Sequence, residues 1–117
     1  MHKNIIVEKS TELALEIIEF TSLLKKEKHY QISSQLFRSG TSIGANVWEA
    51  QNEESSKDFI HKFKIAAKES DESEYWLELC KASKHLPAPE EQIFKDRESI
   101  SKVLSKIIGT TKRNMNG

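Results

Sequence analysis

Few residues in this chain have the types and spacings that do chemistry, and each such set can be held against what its mechanism requires. Gly40-Thr41-Ser42-Ile43-Gly44 matches the G-x-S-x-G pattern in which a nucleophilic serine stands on a sharp turn. That mechanism needs a strand before the serine, a helix after it and a large α/β sheet. Here helical periodicity runs through both flanks, and 117 residues are too few for the sheet. The small residues suit close helix packing instead, although two glycines weaken a helix. A di-metal site in a helical bundle needs inward carboxylates and Glu-x-x-His pairs. Glu49, Glu69, Glu72, Glu74 and Glu78 are plentiful, yet none stands three residues before a histidine; Asp58 to His61 is the nearest spacing. His2, His29, His61 and His85 are dispersed and expected in solvent, and no glycine-rich phosphate loop is present. Cys80 stands alone, which excludes an internal disulfide or a cysteine-rich zinc site. The residues point away from catalysis, and no metal or cofactor is expected.

Two polar sets remain. Arg38, Ser42, Asn46 and Glu49 read close to the core-facing seam of one helix, with Glu74 on the next. Buried polar groups must find partners, so these five are expected to form a structural network, most simply an Arg38–carboxylate pair and amide hydrogen bonds. The second set is basic. Lys57, His61, Lys64 and Lys68 line one stripe, and Lys95, Lys102, Lys106 and Arg113 line another. Such stripes can track a phosphate backbone, although acidic residues at 69–78 offset the first.

The elements that position these sets are helices. Pro87-Ala88-Pro89 is the strongest break, with Glu90 and Glu91 suited to the next first turn. Weaker breaks fall near Lys28–Gln31 and Asn52–Ser56, where Ser55 or Ser56 can cap. Four helices are predicted, at 4–27, 31–52, 56–86 and 90–114, each about 30–45 Å long. Their apolar seams have heptad-like spacing. They run through Ile6, Leu13, Ile17, Phe20 and Leu24, then Leu36, Gly40, Ile43, Val47 and Ala50. The third is Phe59, Phe63, Ala66, Ser70, Ser73, Leu77 and Cys80, and the fourth Ile93, Ile100, Leu104, Ile107 and Thr111. Short connections make sequential neighbours antiparallel, so the fold class is all-α: one up-down-up-down four-helix bundle over residues 1–117.

One feature exceeds what a single core can absorb. The second helix carries another stripe, Phe37, Thr41, Gly44 and Trp48, rotated roughly 120–140° from Ile43. On the third, Tyr75, Leu79, Ala82 and Leu86 lie opposite the Leu77 seam. We read Phe37, Thr41, Gly44, Trp48, Tyr75 and Leu79 as a subunit interface, glycine permitting approach and aromatics anchoring it.

Charge and composition agree with a soluble bundle. Eighteen basic and eighteen acidic side chains cancel, so no global field draws the chain to nucleic acid or membrane. Met1–Ser10 cannot form a signal-peptide core and no apolar run reaches spanning length, so the expected location is the cytoplasm.

The segments Arg38–Ala50, Asp58–Glu69 and Glu74-Tyr75-Trp76-Leu77-Glu78-Leu79 resemble the bacterial four-helix-bundle family encoded in intervening sequences of large-subunit rRNA genes. That family is similar to the accessory variability determinant of diversity-generating retroelements. The resemblance runs from Lys9 to Thr111, with Arg38, Ser42, Ile43, Asn46, Glu49, Glu74 and Leu77 at the family's pattern positions. It implies an antiparallel bundle assembled into a five-fold ring, and a positive surface for nucleic acid or, in the retroelement branch, for a reverse transcriptase. Trp48 stands where the family commonly has a small residue. The expectation is a non-enzymatic homo-oligomeric adaptor for RNA or a ribonucleoprotein, Lys57, Lys64, Lys68, Lys95, Lys102, Lys106 and Arg113 meeting the nucleic acid. The alternative is a protein-binding scaffold with no nucleic-acid role.

Overall fold

The computed structural model describes residues 4–116, so His2 lies outside the described part. The chain forms α1 (Ile5–Lys26), α2 (Tyr30–Ala50), α3 (Ser56–Ala82) and α4 (Glu91–Asn116). Local chemistry sets most of these bounds. Asn4 caps α1 by accepting from the Ile6 N–H at 3.0 Å. Glu8 lies in its first turn and Lys25 and Lys26 in its last, each charge where the helix dipole favours it. The helix closes in a Schellman motif: His29 N–H donates to the Leu24 carbonyl at 2.8 Å, and Lys28 N–H to that of Lys25 at 2.9 Å. Lys28 takes the left-handed conformation (φ 69°) that this closure requires. Ser55 caps α3, its hydroxyl accepting from the Asp58 N–H at 3.1 Å.

One boundary departs from expectation. Helix α3 stops at Ala82, not at 86. Ser83 turns extended (ψ 137°) and its hydroxyl accepts from the His85 N–H at 3.1 Å, an alternative to continuing the helix. Leu86 precedes a proline, which disfavours helical backbone there. Released from the helix, Leu86 folds back against the core and Pro89 is buried beside it in the connection. Leu86 therefore does not belong to an outer apolar stripe of α3.

The helices pack in a ring, each on its sequence neighbours, with α4 closing against α1. Cross-helix pairs fix the antiparallel order. Asn4 meets Gln51 and Ser33 meets Thr21; Arg38 meets Glu69 and Lys62 meets Glu49. Arg97 meets Ser70 and Lys9 meets Ser99. The bundle is up-down-up-down and 51 Å long. Its seams follow the predicted spacing, although Ile107 and Thr111 at the end of α4 are only partly buried; Leu13, Ile17, Leu24, Leu36, Ile43, Val47, Phe63, Leu77 and Leu104 are fully buried. Such side chains stabilise by about 1.5–3 kcal/mol each. At the start of α3, Ile60 takes the buried place expected of Phe59, because the end of α4 lies on the Ile60 side. Phe59 instead stacks on Phe63 with ring centroids 4.4 Å apart.

Gly40 and Gly44 explain how closely α1 and α2 approach. A Cβ at Gly40 would overlap the Ile17 side chain, and one at Gly44 would stand 3.4 Å from the Ser10 carbonyl oxygen. Gly44 thus faces α1 inside the protomer, which corrects its assignment to the outer stripe. Ser42 lies mid-helix between them, with no strand or sharp turn to present a nucleophile.

Candidate functional site

The polar network differs from the one the sequence suggests. Arg38 and Glu49 are not at the core seam. Arg38 is half exposed and bridges Glu69, at 2.8 Å, and Glu72, while Glu49 pairs with Lys62 at 2.9 Å. Both pairs clasp the rim between α2 and α3. Their helix-wheel angle places them nearer the outer edge than the core. Asn46 donates to the Ser42 carbonyl at 2.8 Å, within its own helix. Glu74 does join an ion pair, but with Arg97 of α4.

Arg97 is the residue the sequence reading missed. It is 6% exposed, and besides Glu74 it donates to the Ser70 hydroxyl at 3.0 Å and the Ser101 hydroxyl at 2.9 Å. Ser70 and Ser101 are themselves 2.6 Å apart, and Ser73 donates to Ser39 at 2.9 Å across α2 and α3. A polar layer thus crosses the bundle interior and fixes which turns face each other. The signal was present: Arg97 falls four residues after Ile93 and three before Ile100, in phase with the seam.

Ile5, Leu15, Leu23, Tyr30 and Met115 are also exposed, and the residues read as a subunit interface fall into two patches. On α2, Phe37 is 46% and Trp48 51% exposed, with Thr41 between them. They lie on the side of α2 turned toward α1, where Phe37 shares a groove with Thr21, Ser22 and Lys25. Ile18 of α1, one turn before the groove-lining Thr21 and Ser22, is a further exposed apolar residue missed from sequence. On α3, Tyr75 and Leu79 are 56% and 37% exposed and point away from the core. The Arg38 and Glu49 rim pairs lie between the two patches, so the six predicted interface residues do not form one surface.

The basic residues also sort by position. Lys64 of α3 and Lys112 of α4 meet where the start of α3 lies beside the end of α4. Lys64, within hydrogen-bonding reach and repelling as a like charge, pulls the Lys112 pKa below the ordinary lysine range. They share an open groove of about 310 Å³ with Lys57, His61, Ile60, Met115 and Asn116. Lys68 lies one turn of α3 beyond Lys64, and Lys106 and Arg113 are exposed on α4 outside the residues lining the groove. Beyond Glu98 the chain has no acidic residue, and Asp58 is the one acid between positions 57 and 68. Cations in the last turns of α4 suit the helix dipole, whereas Lys57 and His61 in the first turns of α3 oppose it. Stability alone therefore does not account for this end. Two expected members stand apart. Lys102 pairs with Glu98 at 3.3 Å, and Lys95 lies toward the opposite end, near Phe94, over which Lys81 sits at 5.3 Å. Lys112 was not foreseen, because it stands outside the Lys95–Arg113 stripe on the helix wheel.

The α1–α4 seam is the acidic counterpart. Burial raises the Glu16 pKa to about 7, helped by a hydrogen bond to Asp96 and repulsion from Asp96, Glu12 and Glu90. Among the described residues no cluster of three or more His, Cys, Asp or Glu is arranged to hold a metal ion. Burial also pushes the Cys80 thiol up to about 11, which keeps it protonated and unreactive. No helix among the described residues is long and apolar enough to cross a membrane.

The fold and these surfaces define the class: an all-α four-helix bundle whose expected interface residues fall into two patches, with one basic end. The chain belongs to the family of 23S rRNA-intervening sequence proteins, whose family model matches residues 2–107. It is similar to a Bacteroides thetaiotaomicron protein of unknown function from the S23 ribosomal protein family, known from a crystal structure. The two are 42% identical and superpose with a TM-score of 0.82, over 88% of this chain and 97% of that one. No curated protein matches the chain.

Proposed function

We propose that the protein is a non-enzymatic homo-oligomeric adaptor of the cytoplasm, closed into a ring and associated with RNA or a ribonucleoprotein. The observation that carries this reading is the separation of the Phe37–Trp48 patch from the Tyr75–Leu79 patch. A chain with two different apolar patches associates head to tail, and such contacts generate rings when the rotation closes. The five-fold number comes from the family resemblance, as does a reverse-transcriptase-like enzyme as partner. The basic end around Lys64 and Lys112 supports the RNA half, and the family's name points to rRNA intervening sequences. The helical setting of Ser42 and the unreactive Cys80 thiol support a non-catalytic role.

The test is solution mass by light scattering for the wild type and Trp48→Glu, followed by RNA titrations across salt. The expected result is a wild-type oligomer that the substitution breaks. RNA affinity should fall with salt at a logarithmic slope of about −0.7 per single-strand phosphate contact. A monomeric wild type sinks the ring and favours the rival, a scaffold whose Phe37–Trp48 groove receives a partner helix. Absent or salt-insensitive RNA binding sinks the RNA half.

A further inference from the structure

The groove between the start of α3 and the end of α4 has a property that a track for a nucleic-acid backbone does not need. Its ammonium groups converge. Successive phosphodiesters each carry one negative charge and are matched by cations spread along a path. Here Lys64 and Lys112 are brought to one place, with Lys57 and His61 lining the same groove and no carboxylate among its lining residues. Neither lysine makes an ion pair among the described residues. The first-turn amides of α3 add positive potential beside Lys57. Ile60, which is buried, and Met115, which is exposed, supply an apolar wall. A terminal phosphomonoester carries about −1.5 to −2 at neutral pH and offers three acceptor oxygens. It relieves the repulsion between the two lysines in a way that one monoanionic diester does not.

We infer that this groove is a binding site for the terminal phosphate of an RNA strand, Lys64 and Lys112 holding the phosphate while Ile60 and Met115 contact the terminal nucleoside. The site rests on the proposed association with RNA and sharpens it, because it makes the protein a reader of cleaved ends. All four side chains lie near the rim of one end of the bundle, so the site is open to a strand arriving from outside.

The experiment is fluorescence anisotropy at fixed salt with one short single-stranded oligoribonucleotide in three forms: 5′-phosphorylated, 3′-phosphorylated and hydroxyl-terminated. One phosphorylated form is expected to bind about tenfold tighter than the hydroxyl form, the scale of a charge-assisted contact. Which form it is identifies the end being read. The double variant Lys64→Gln/Lys112→Gln, at two surface positions, should lose that preference, all three forms then binding alike and more weakly than to the wild type. Equal affinity for all three forms overturns the terminal-phosphate site and leaves the RNA association standing. A preference that survives in the double variant also overturns it. Failure of every form to bind removes both the site and the RNA reading beneath it.

Discussion

Arg97 and Glu74 form an ion pair of unequal burial: the arginine side chain is 7% exposed and the glutamate side chain 52%. The cation is enclosed by Ser70 and Ser101, while the carboxylate reaches in from the solvent side. Removing one partner is therefore not equivalent to removing the other. Glu74→Gln leaves a buried guanidinium short of its counter-charge and should cost about 3 kcal/mol. Arg97→Met removes the buried charge, leaves Ser70 and Ser101 bonded to each other, and returns Glu74 to water; it should cost about 1 kcal/mol or less. Denaturant unfolding at one protein concentration measures both, and equal losses would contradict the asymmetry.

Two separate patches make a specific prediction about mixing. Trp48→Glu and Tyr75→Glu each damage one half of a head-to-tail contact, so each should be monomeric alone. Mixed, they retain one intact pairing, the Tyr75 patch of one chain against the Trp48 patch of the other. The mixture should give heterodimers and no ring. A self-complementary interface using both patches together would leave the mixture monomeric.

The α1–α4 seam makes stability depend on pH. Glu16 titrates at about 7 in the folded chain, above its ordinary value of 4.5, so the folded state holds a proton that the unfolded state releases. Its contribution is fully present below the unfolded value and is lost as pH rises through about 7. The groups facing it are Asp96 and Glu90 from the α4 side and Glu12 on its own helix, with Lys9 and Glu12 further along the seam beside Asp96. Glu16→Gln should raise the melting temperature at pH 8 more than at pH 5. An equal effect at the two pH values would show that Glu16 does not carry this pH dependence.

The two glycines of α2 should respond in opposite directions. Gly40→Ala forces a methyl into the fully buried Ile17, an overpacking cost of about 2 kcal/mol against about 1 kcal/mol gained in helix propensity. Gly44→Ala meets only ordinary contact with the Ser10 carbonyl and should be neutral or stabilise by about 0.5 kcal/mol. It should leave the oligomer intact, because Gly44 faces α1. Loss of assembly in Gly44→Ala would return that residue to the subunit interface.

The sequence by itself determined the helices, their order and most of the core. Apolar residues at alternating spacings of three and four need one buried side whatever else the chain does, so Leu13, Ile43, Leu77 and Leu104 were legible. The cap at Ser55 acts over three residues and is equally local. Even Arg97 was in phase with its seam, and was passed over because a charged residue reads as surface until its partners are known.

Only the tertiary structure decided which sides of the helices face each other, and with them the candidate sites. A helix wheel gives the angle of a side chain but not the neighbour at that angle. Gly44 could therefore face another subunit or α1, and Glu74 could pair with Arg38 of α2 or with Arg97 of α4. The same holds for the basic residues: eight sequence positions looked like two equivalent stripes. Antiparallel packing instead brought Lys64 to Lys112, a residue of neither stripe's making on α4, and left Lys95 toward the other end. Charges separated by forty-eight positions converge only when a register is fixed. That register is set by the interlocking of whole helices, a property no local spacing contains.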